Sequence, residues 1–440
     1  MTQKFILKCT TCDTVFDGFK AWFDANQLCP NCKKNRVEAV YSTDYSTLKD
    51  LIHAKNRTNF SFWHYFDFLP LNERSNIVST PEHPLSLDRW VFLEDLAKEH
   101  FGIRCEVRAY RNDEHYATGT FKDNGGSLAA SVLKENGISE YIVASTGNVA
   151  NTFAYYMAKA GVSLTAFIPQ DALALNGAGV SCHGQKVFRV NNDYHQAKKV
   201  AADYAKKYGI LMTGGNVDPL RVEAKRTMVF EWLRDLPKFP TVYIQALSGG
   251  TGPIAIDKAL REIEHLNLVE NYPRFLMIQP DGCSPMVQGW QKAKASNFPE
   301  GWESDYPIFE SPVTKVPTLA TGHPGTFPII ANLVKKSNGD MLEVKESKLV
   351  DITRYIAYEA TVAMGPAAST AALGFIQALK TNNIKDGDFV LINIGEGMRR
   401  APELLLEMNY TEQRVDSVDE CERFDRRTLK NALKNSILSD

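Results

Sequence analysis

The sequence is short of net charge, of long apolar runs and of repetition. Its 50 basic and 52 acidic side chains nearly cancel, leaving −2 over 440 residues, so no whole-molecule field draws the chain to nucleic acid or to an anionic membrane. Any anionic ligand has to be held locally. The opening stretch, MTQKFILKCTTCD, lacks the apolar core of a secretory leader, and no later segment reaches the roughly 20 apolar residues that span a bilayer. A cytoplasmic location is therefore expected, with neither nucleic-acid nor membrane partners. No internal repeat or low-complexity tract is present. With 44% hydrophobic and 23% charged residues the composition is that of a soluble globular protein, and the length suits two core-bearing lobes with a small appendage.

What is present begins with cysteine. Of eight in the chain, Cys9, Cys12, Cys29 and Cys32 form C-x2-C, sixteen residues, then C-x2-C, a spacing that lets two knuckles offer four thiolates to one tetrahedral Zn²⁺. Four thiolates fill the shell, so the metal is expected to be structural. Duplication of the pair, and no helix expected after the first, weigh against a redox dithiol. Cys105, Cys182, Cys283 and Cys421 have no ligand-like spacing and read as ordinary thiols.

From about residue 140 onward, short β-branched runs alternate with helix-length amphipathic segments, with strands expected at 141–144, 163–168, 185–190, 209–213, 241–247, 274–279 and 388–394. Such alternation predicts α/β architecture, with mostly parallel sheets covered on both faces. Residues 41–100 read as polar and irregular, with Phe60, Phe62, Trp63, Tyr65, Phe66 and Phe68 as a packing anchor. The tail from about 411 reads as a peripheral helix or a partner contact.

Three loops carry the chemistry. In TGTFKDNGG (118–126) Lys122 follows a glycine turn and opens a helix, where the macrodipole disfavours a cation. In ASTGN (144–148) Ser145, Thr146, Gly147 and Asn148 end a strand and open a helix, a receptor for a carboxylate or phosphate that also serves as an ordinary helix cap. In SGGTGP (248–253) Ser248, Gly249, Gly250, Thr251 and Gly252 again join strand to helix. The glycines let the backbone wrap a monophosphate, while the absence of a Gly-Lys-Ser/Thr ending excludes a nucleotide P-loop.

TGTFKDNGG resembles the PTGSFKDRG motif of threonine synthase, STGN its fold type's asparagine loop, and NVDPLRVEAKRTMVFEW (216–232) its NPxRxEGQKT segment. The chain is thus similar to pyridoxal-phosphate enzymes of fold type II, in the threonine synthase and cysteate synthase family. The resemblance implies Lys122 as the Schiff-base lysine, Asn148 facing the cofactor O3′, Ser145-Thr146-Gly147 at the substrate carboxylate, and Ser248–Gly252 at the cofactor phosphate. It also implies two doubly wound, mostly parallel lobes with the cofactor in the cleft. The expected division is a zinc ribbon over 1–40, a linker and part of the large lobe over 41–110, the small lobe over 111–215, the large lobe over 216–410 and a charged tail over 411–440.

QALSGGTGPIAI, QPDGCSPM, GHPGTFPIIANLVKKSNGDM and LINIGEG sit closer to cysteate synthase, whereas TGTFKD sits closer to threonine synthase. The two readings differ in substrate: O-phosphoserine with sulfite, or O-phosphohomoserine with water. A catalytically silent binding protein is disfavoured by the presence of Lys122. Ile394 stands where the family has a threonine beside the pyridine nitrogen, leaving Asn393 or the run Ala367-Ala368-Ser369-Thr370 as candidates. Lys315, His323, Arg399 and Arg400 are the expected holders of the substrate phosphate or the sulfite. Oligomeric state stays open, a homo-oligomer being compatible.

Overall fold

The computed structural model describes residues 3–53, 61–80, 85–407, 412–421 and 423–439. Phe60 of the aromatic anchor lies outside them.

Three short antiparallel strands, β1 (Phe5–Cys9), β2 (Val15–Phe16) and β3 (Val37–Tyr41), form a ribbon in the order β2-β1-β3. Each C-x2-C pair closes the same way. The amides of Asp13 and Lys33 donate to the carbonyls of Cys9 and Cys29 at 3.1 and 2.9 Å, and both residues are left-handed. A short helix, Gly18–Asp24, lies between the knuckles, where none was expected. It starts six residues after Cys12, so it does not cap the first pair as a dithiol helix would.

Nine further strands build two sheets: β4 (Leu87–Arg89), β5 (Glu106–Tyr110), β6 (Glu140–Ala144), β7 (Ser163–Pro169), β8 (Lys186–Val190), β9 (Val242–Ala246), β10 (Arg274–Pro280), β11 (Asp340–Val344) and β12 (Phe389–Asn393). The larger sheet runs β11-β10-β9-β12-β5-β4, parallel throughout except for the edge pair β4–β5, and the smaller runs β6-β7-β8, all parallel. Side chains alternate across the pleat. In the larger sheet Tyr243, Phe275, Met277, Met341, Phe389 and Leu391 join one core, while Val242, Ile244, Leu276, Ile278, Val390 and Ile392 join another. Both faces are therefore buried, as a parallel sheet requires. Each such aliphatic side chain contributes about 1.5–3 kcal/mol by burial, so a slip by one residue would have to move every one of them to the opposite core.

Three expectations are corrected. Residues 209–213 form no strand: Met212 makes a single bridge to Ile142, and Thr213 then bonds Asp218 at the start of the next helix. Strand β11 was not expected: DMLEV carries one acid on each face, Asp340 and Glu343. Asp340 is nonetheless buried, accepting from Trp290 Nε1 at 2.6 Å and Lys294 Nζ at 2.7 Å. The segment 41–100, read as irregular, contains the helices Ser46–His53 and Val91–Phe101.

The aromatic segment Phe62–Phe68 splits between cores. Phe62, Trp63 and Phe66 pack with the ribbon and the smaller sheet, Tyr65 and Phe68 with the larger one. The C-terminal helix Arg426–Leu438 buries Leu433 and Ile437 in the second core of the larger sheet.

One helix, Pro219–Asp235, links all of this. It is buried on every side over 219–230. Glu223 on one face accepts from the Ala39 amide at 2.9 Å, the Tyr41 hydroxyl at 2.8 Å and Lys258 Nζ at 3.2 Å, tying β3 of the ribbon to the large lobe. Arg221 and Lys225, four residues apart and so on one face, line a cavity between the two sheets.

Candidate active site

The cavity lies at the C-terminal ends of parallel strands, where open α/β sheets bind ligands. Lys122, Ser145, Thr146, Asn148, Ser248, Gly249, Gly250 and Thr251 all line it. Gly147 and Gly252 stand in the same loops: Gly147 at φ 155° under Asn176, and Gly252 in the first turn of the helix Thr251–Ile263. Three loops far apart in the chain thus meet in one place.

Lys122 opens the helix Asp123–Glu135, and its Nζ stands 3.7 Å from the centre of the Phe121 ring. Burial, with the guanidinium of Arg221 adding to it, brings the amine down to about 7, while the Glu396 carboxylate acts against the change. A neutral, nucleophilic amine at neutral pH is what condensation with an aldehyde needs. The next residue, Asp123, is spent on structure, accepting from the Thr118 amide at 2.9 Å and the Thr152 hydroxyl at 3.1 Å.

In the second loop the Ser145 hydroxyl accepts from the amides of Gly147 and Ala150 at 3.0 and 3.2 Å, and so caps the helix Asn148–Ala160. Its own hydrogen is left to donate into the cavity. Asn148 Nδ2 donates to Glu396 Oε2 at 2.5 Å, and Glu396 Oε1 accepts from the Ala367 amide at 2.7 Å. An amide nitrogen has two hydrogens, so Asn148 is oriented by one and keeps the other. Glu396 was missed in the sequence, hidden in a strand-end GEG.

The third loop admits only glycine at its tip. A Cβ on Gly249 would lie 1.7 Å from Asn216 Nδ2, and one on Gly250, at φ +81°, 2.3 Å from Ile330 Cδ1. The helix behind it begins at Thr251, whose hydroxyl donates to Asn216 Oδ1 at 3.2 Å, and the Ser248 hydroxyl pairs with that of Thr321 at 2.7 Å. Backbone amides at a helix start, with two hydroxyls beside them, offer a set of donors that suits an anion.

Of the candidates for the pyridine nitrogen, Asn393 and Ala367 line the cavity. Asn112 Nδ2 donates to Asn393 Oδ1 at 2.7 Å, leaving Asn393 Nδ2 as a donor. Ser369 and Thr370 bond back to carbonyls of their own helix.

The expected phosphate or sulfite holders are elsewhere. Lys315 pairs with Glu407 at 3.3 Å, the His323 ring lies tilted against that of His195 with their Nδ1 atoms 3.4 Å apart, and Arg399 donates to the carbonyls of His115 and Tyr116. Arg400 reaches Asn176 Oδ1 at 3.2 Å and Asn148 Oδ1 at 3.5 Å, buttressing the asparagine loop. The cavity's cations besides Lys122 are instead Arg221 and Lys225. A helix buried all round that carries charges at i and i+4 was the available sign of them.

The four cysteines meet as expected. Their sulfurs lie within 4.8 Å of one another, with Cys9–Cys32 and Cys12–Cys29 each at 3.5 Å, near the ~3.8 Å edge of a tetrahedron with Zn–S bonds of about 2.3 Å. Among the described residues no helix is long and apolar enough to cross a membrane.

Comparison with known proteins agrees with this geometry. Residues 93–395 match the model of the pyridoxal-phosphate dependent enzyme family, and the chain belongs to that family. It is 26% identical to the threonine synthase of Methanocaldococcus jannaschii over 86% of this chain and 90% of that one. It is 25% identical to the cysteate synthase of Methanococcoides burtonii over 92% and 91%. Among solved structures, maize serine racemase superposes with a TM-score of 0.58 at 18% identity, covering 74% of this chain and 92% of that one. Escherichia coli diaminopropionate ammonia lyase gives 0.60 at 12%, covering 78% and 96%. The protein is thus an enzyme resembling the threonine and cysteate synthases, with the two-sheet fold that these structures share.

Proposed function

We propose that the enzyme replaces the phosphate of O-phospho-L-serine with sulfite, giving L-cysteate and inorganic phosphate. The observation that carries this is one cavity holding a lysine amine lowered to about 7, a glycine cup for the cofactor phosphate, and two further cations, Arg221 and Lys225. Arg221 and Lys225 add hydrogen-bond donors beyond those of the glycine cup, and they suit a second phosphorylated ligand. Pyridoxal phosphate, when bound, supplies a conjugated ring that takes up electron density from the substrate α-carbon.

The chain's own groups do the rest. Lys122 Nζ holds the cofactor until substrate arrives, then takes the α-proton and later returns it. Ser145, Thr146 and Gly147 hold the substrate carboxylate through the start of the Asn148 helix. Asn148, oriented by Glu396, donates to the cofactor O3′, and Asn393 Nδ2 to its ring nitrogen. Ser248–Gly252 hold the cofactor phosphate through their backbone amides and hydroxyls. At the β-carbon the C–O bond to phosphate breaks and a C–S bond to sulfite forms, so the α-proton removed equals the one restored.

The alternative is threonine synthesis from O-phosphohomoserine and water. The TGTFKD motif and the likeness to the Methanocaldococcus jannaschii threonine synthase favour it. Both readings use the same residues and both are cytoplasmic small-molecule chemistry, with the four-cysteine cluster as a structural zinc site. A steady-state assay of O-phosphoserine with sulfite, beside O-phosphohomoserine alone, separates them. Threonine formed efficiently, with no cysteate, would establish the alternative.

A further inference from the structure

Seven hydroxyl-bearing residues line the cavity, and among the described residues all but one of their hydroxyls find a partner in the protein. Ser145 caps its helix, Ser248 pairs with Thr321, and Thr251 donates to Asn216, as described above. Thr146 Oγ1 donates to the Thr318 carbonyl at 3.3 Å, and the Tyr194 hydroxyl to the Ala144 carbonyl at 3.4 Å. The exception is Thr318, whose Oγ1 is shut off from solvent with no hydrogen-bond partner among the described residues. A buried hydroxyl left unpaired costs about 1–3 kcal/mol, and valine would fill the same space without that cost.

The fold sets the place of this oxygen. Thr318 belongs to the short turn Pro317–Leu319, flanked by Val316 and Leu319, both buried in the second core of the larger sheet. Behind the turn, Glu346 accepts from the Thr314 hydroxyl and from the Lys315 amide, the latter at 2.8 Å. The same stretch touches both ligand-binding loops. Its Thr318 carbonyl meets Thr146 in the loop for the substrate carboxylate, and its Thr321 hydroxyl meets Ser248 in the glycine cup. A substrate held by the first loop and a cofactor held by the second meet between them, beside Thr318.

We propose that Thr318 positions the second reactant: its hydroxyl donates to an oxygen of the incoming sulfite and so aims the sulfur lone pair at the substrate β-carbon. A neutral donor suits this task, because it orients the anion with a weaker pull on its electrons than a cation exerts. This rests on the functional reading above. With water as the second reactant, the same oxygen accepts a hydrogen bond from it.

The test compares wild-type holoenzyme with Thr318→Val, which keeps the shape, and Thr318→Ser, which keeps the hydroxyl. In Thr318→Val, KM for sulfite is expected to rise about tenfold or more, the loss of one hydrogen bond to a charged group, while KM for O-phosphoserine is unchanged. Part of the O-phosphoserine should then react with water instead, giving pyruvate, ammonia and phosphate. Calorimetry with sulfate, an unreactive oxyanion, should show a loss of affinity of similar size. Thr318→Ser should restore the sulfite KM and the product ratio, and borohydride trapping of cofactor at Lys122 should be the same in all three proteins. A sulfite KM equal to wild type in Thr318→Val overturns the proposal. So does a rise confined to KM for O-phosphoserine, because Thr318 would then serve the substrate carboxylate. If the wild type makes threonine from O-phosphohomoserine and leaves O-phosphoserine with sulfite unreacted, the cysteate reading falls by itself. The role of Thr318 is then read in the ratio of threonine to 2-oxobutyrate, which Thr318→Val should lower; an unchanged ratio overturns it.

Discussion

The acidity of Lys122 can be followed directly in cofactor-free enzyme by the pH dependence of its acetylation with p-nitrophenyl acetate, read on the Lys122 peptide by mass spectrometry. Only the neutral amine reacts. At its ordinary value of 10.5 about three amines in ten thousand are neutral at pH 7, whereas at about 7 roughly half are. The reaction at pH 7 should therefore run about a thousandfold faster than at a solvent-exposed lysine of equal intrinsic reactivity. Burial is the largest cause, Arg221 lowers the amine further and Glu396 raises it. Removing either charge at nearly constant volume moves the inflection in opposite directions. Arg221→Met should raise it and Glu396→Gln lower it, each by about one pH unit, the size of a single charge interaction of ~1.4 kcal/mol. An inflection near 10 in the wild type, or the same direction of movement in both variants, would refute the reasoning.

Other consequences follow from the same contacts. Gly249→Ala should weaken pyridoxal phosphate binding by about 1–3 kcal/mol, since its Cβ would overlap Asn216 Nδ2; fluorescence titration of the cofactor checks it. Glu223→Gln should cost about 1–3 kcal/mol in urea unfolding, because it leaves Lys258 and its neighbour Arg226 to share the Glu262 carboxylate. Metal analysis of reduced protein should find one zinc per chain. Cys29→Ser should lose that zinc and some stability, yet leave the pH inflection of Lys122 in place.

Two of the loops were legible because each lies where a parallel strand hands over to a helix, and the Lys122 loop because a glycine turn there opens a helix. Gly249 stands against Asn216, so the glycine there answers to a contact. The four cysteines were legible from spacing alone. Arg221 and Lys225 were not, although the segment containing them was recognised, because helical periodicity says which residues share a face and not what that face meets. Lys315 and His323 misled for the converse reason. Their loop does line the cavity, through Thr318, Leu319 and Thr321, but Lys315 and His323 themselves reach Glu407 and His195. Glu396 was invisible for a related reason: its role comes from Asn148, 248 residues away in the chain. Strand β11 was hidden by its acids: the partners of Asp340, Trp290 and Lys294, and that of Glu343, Ser284, come from elsewhere in the chain.

Lys122, half-buried, and Lys225, buried, line one cavity, and the cofactor is assigned to the first. Borohydride reduction of the holoenzyme, followed by digestion and mass spectrometry, reads that assignment in a single measurement. The account predicts one reduced cofactor adduct per chain, on the peptide bearing Lys122, with Lys225 unmodified. An adduct on Lys225 would contradict it.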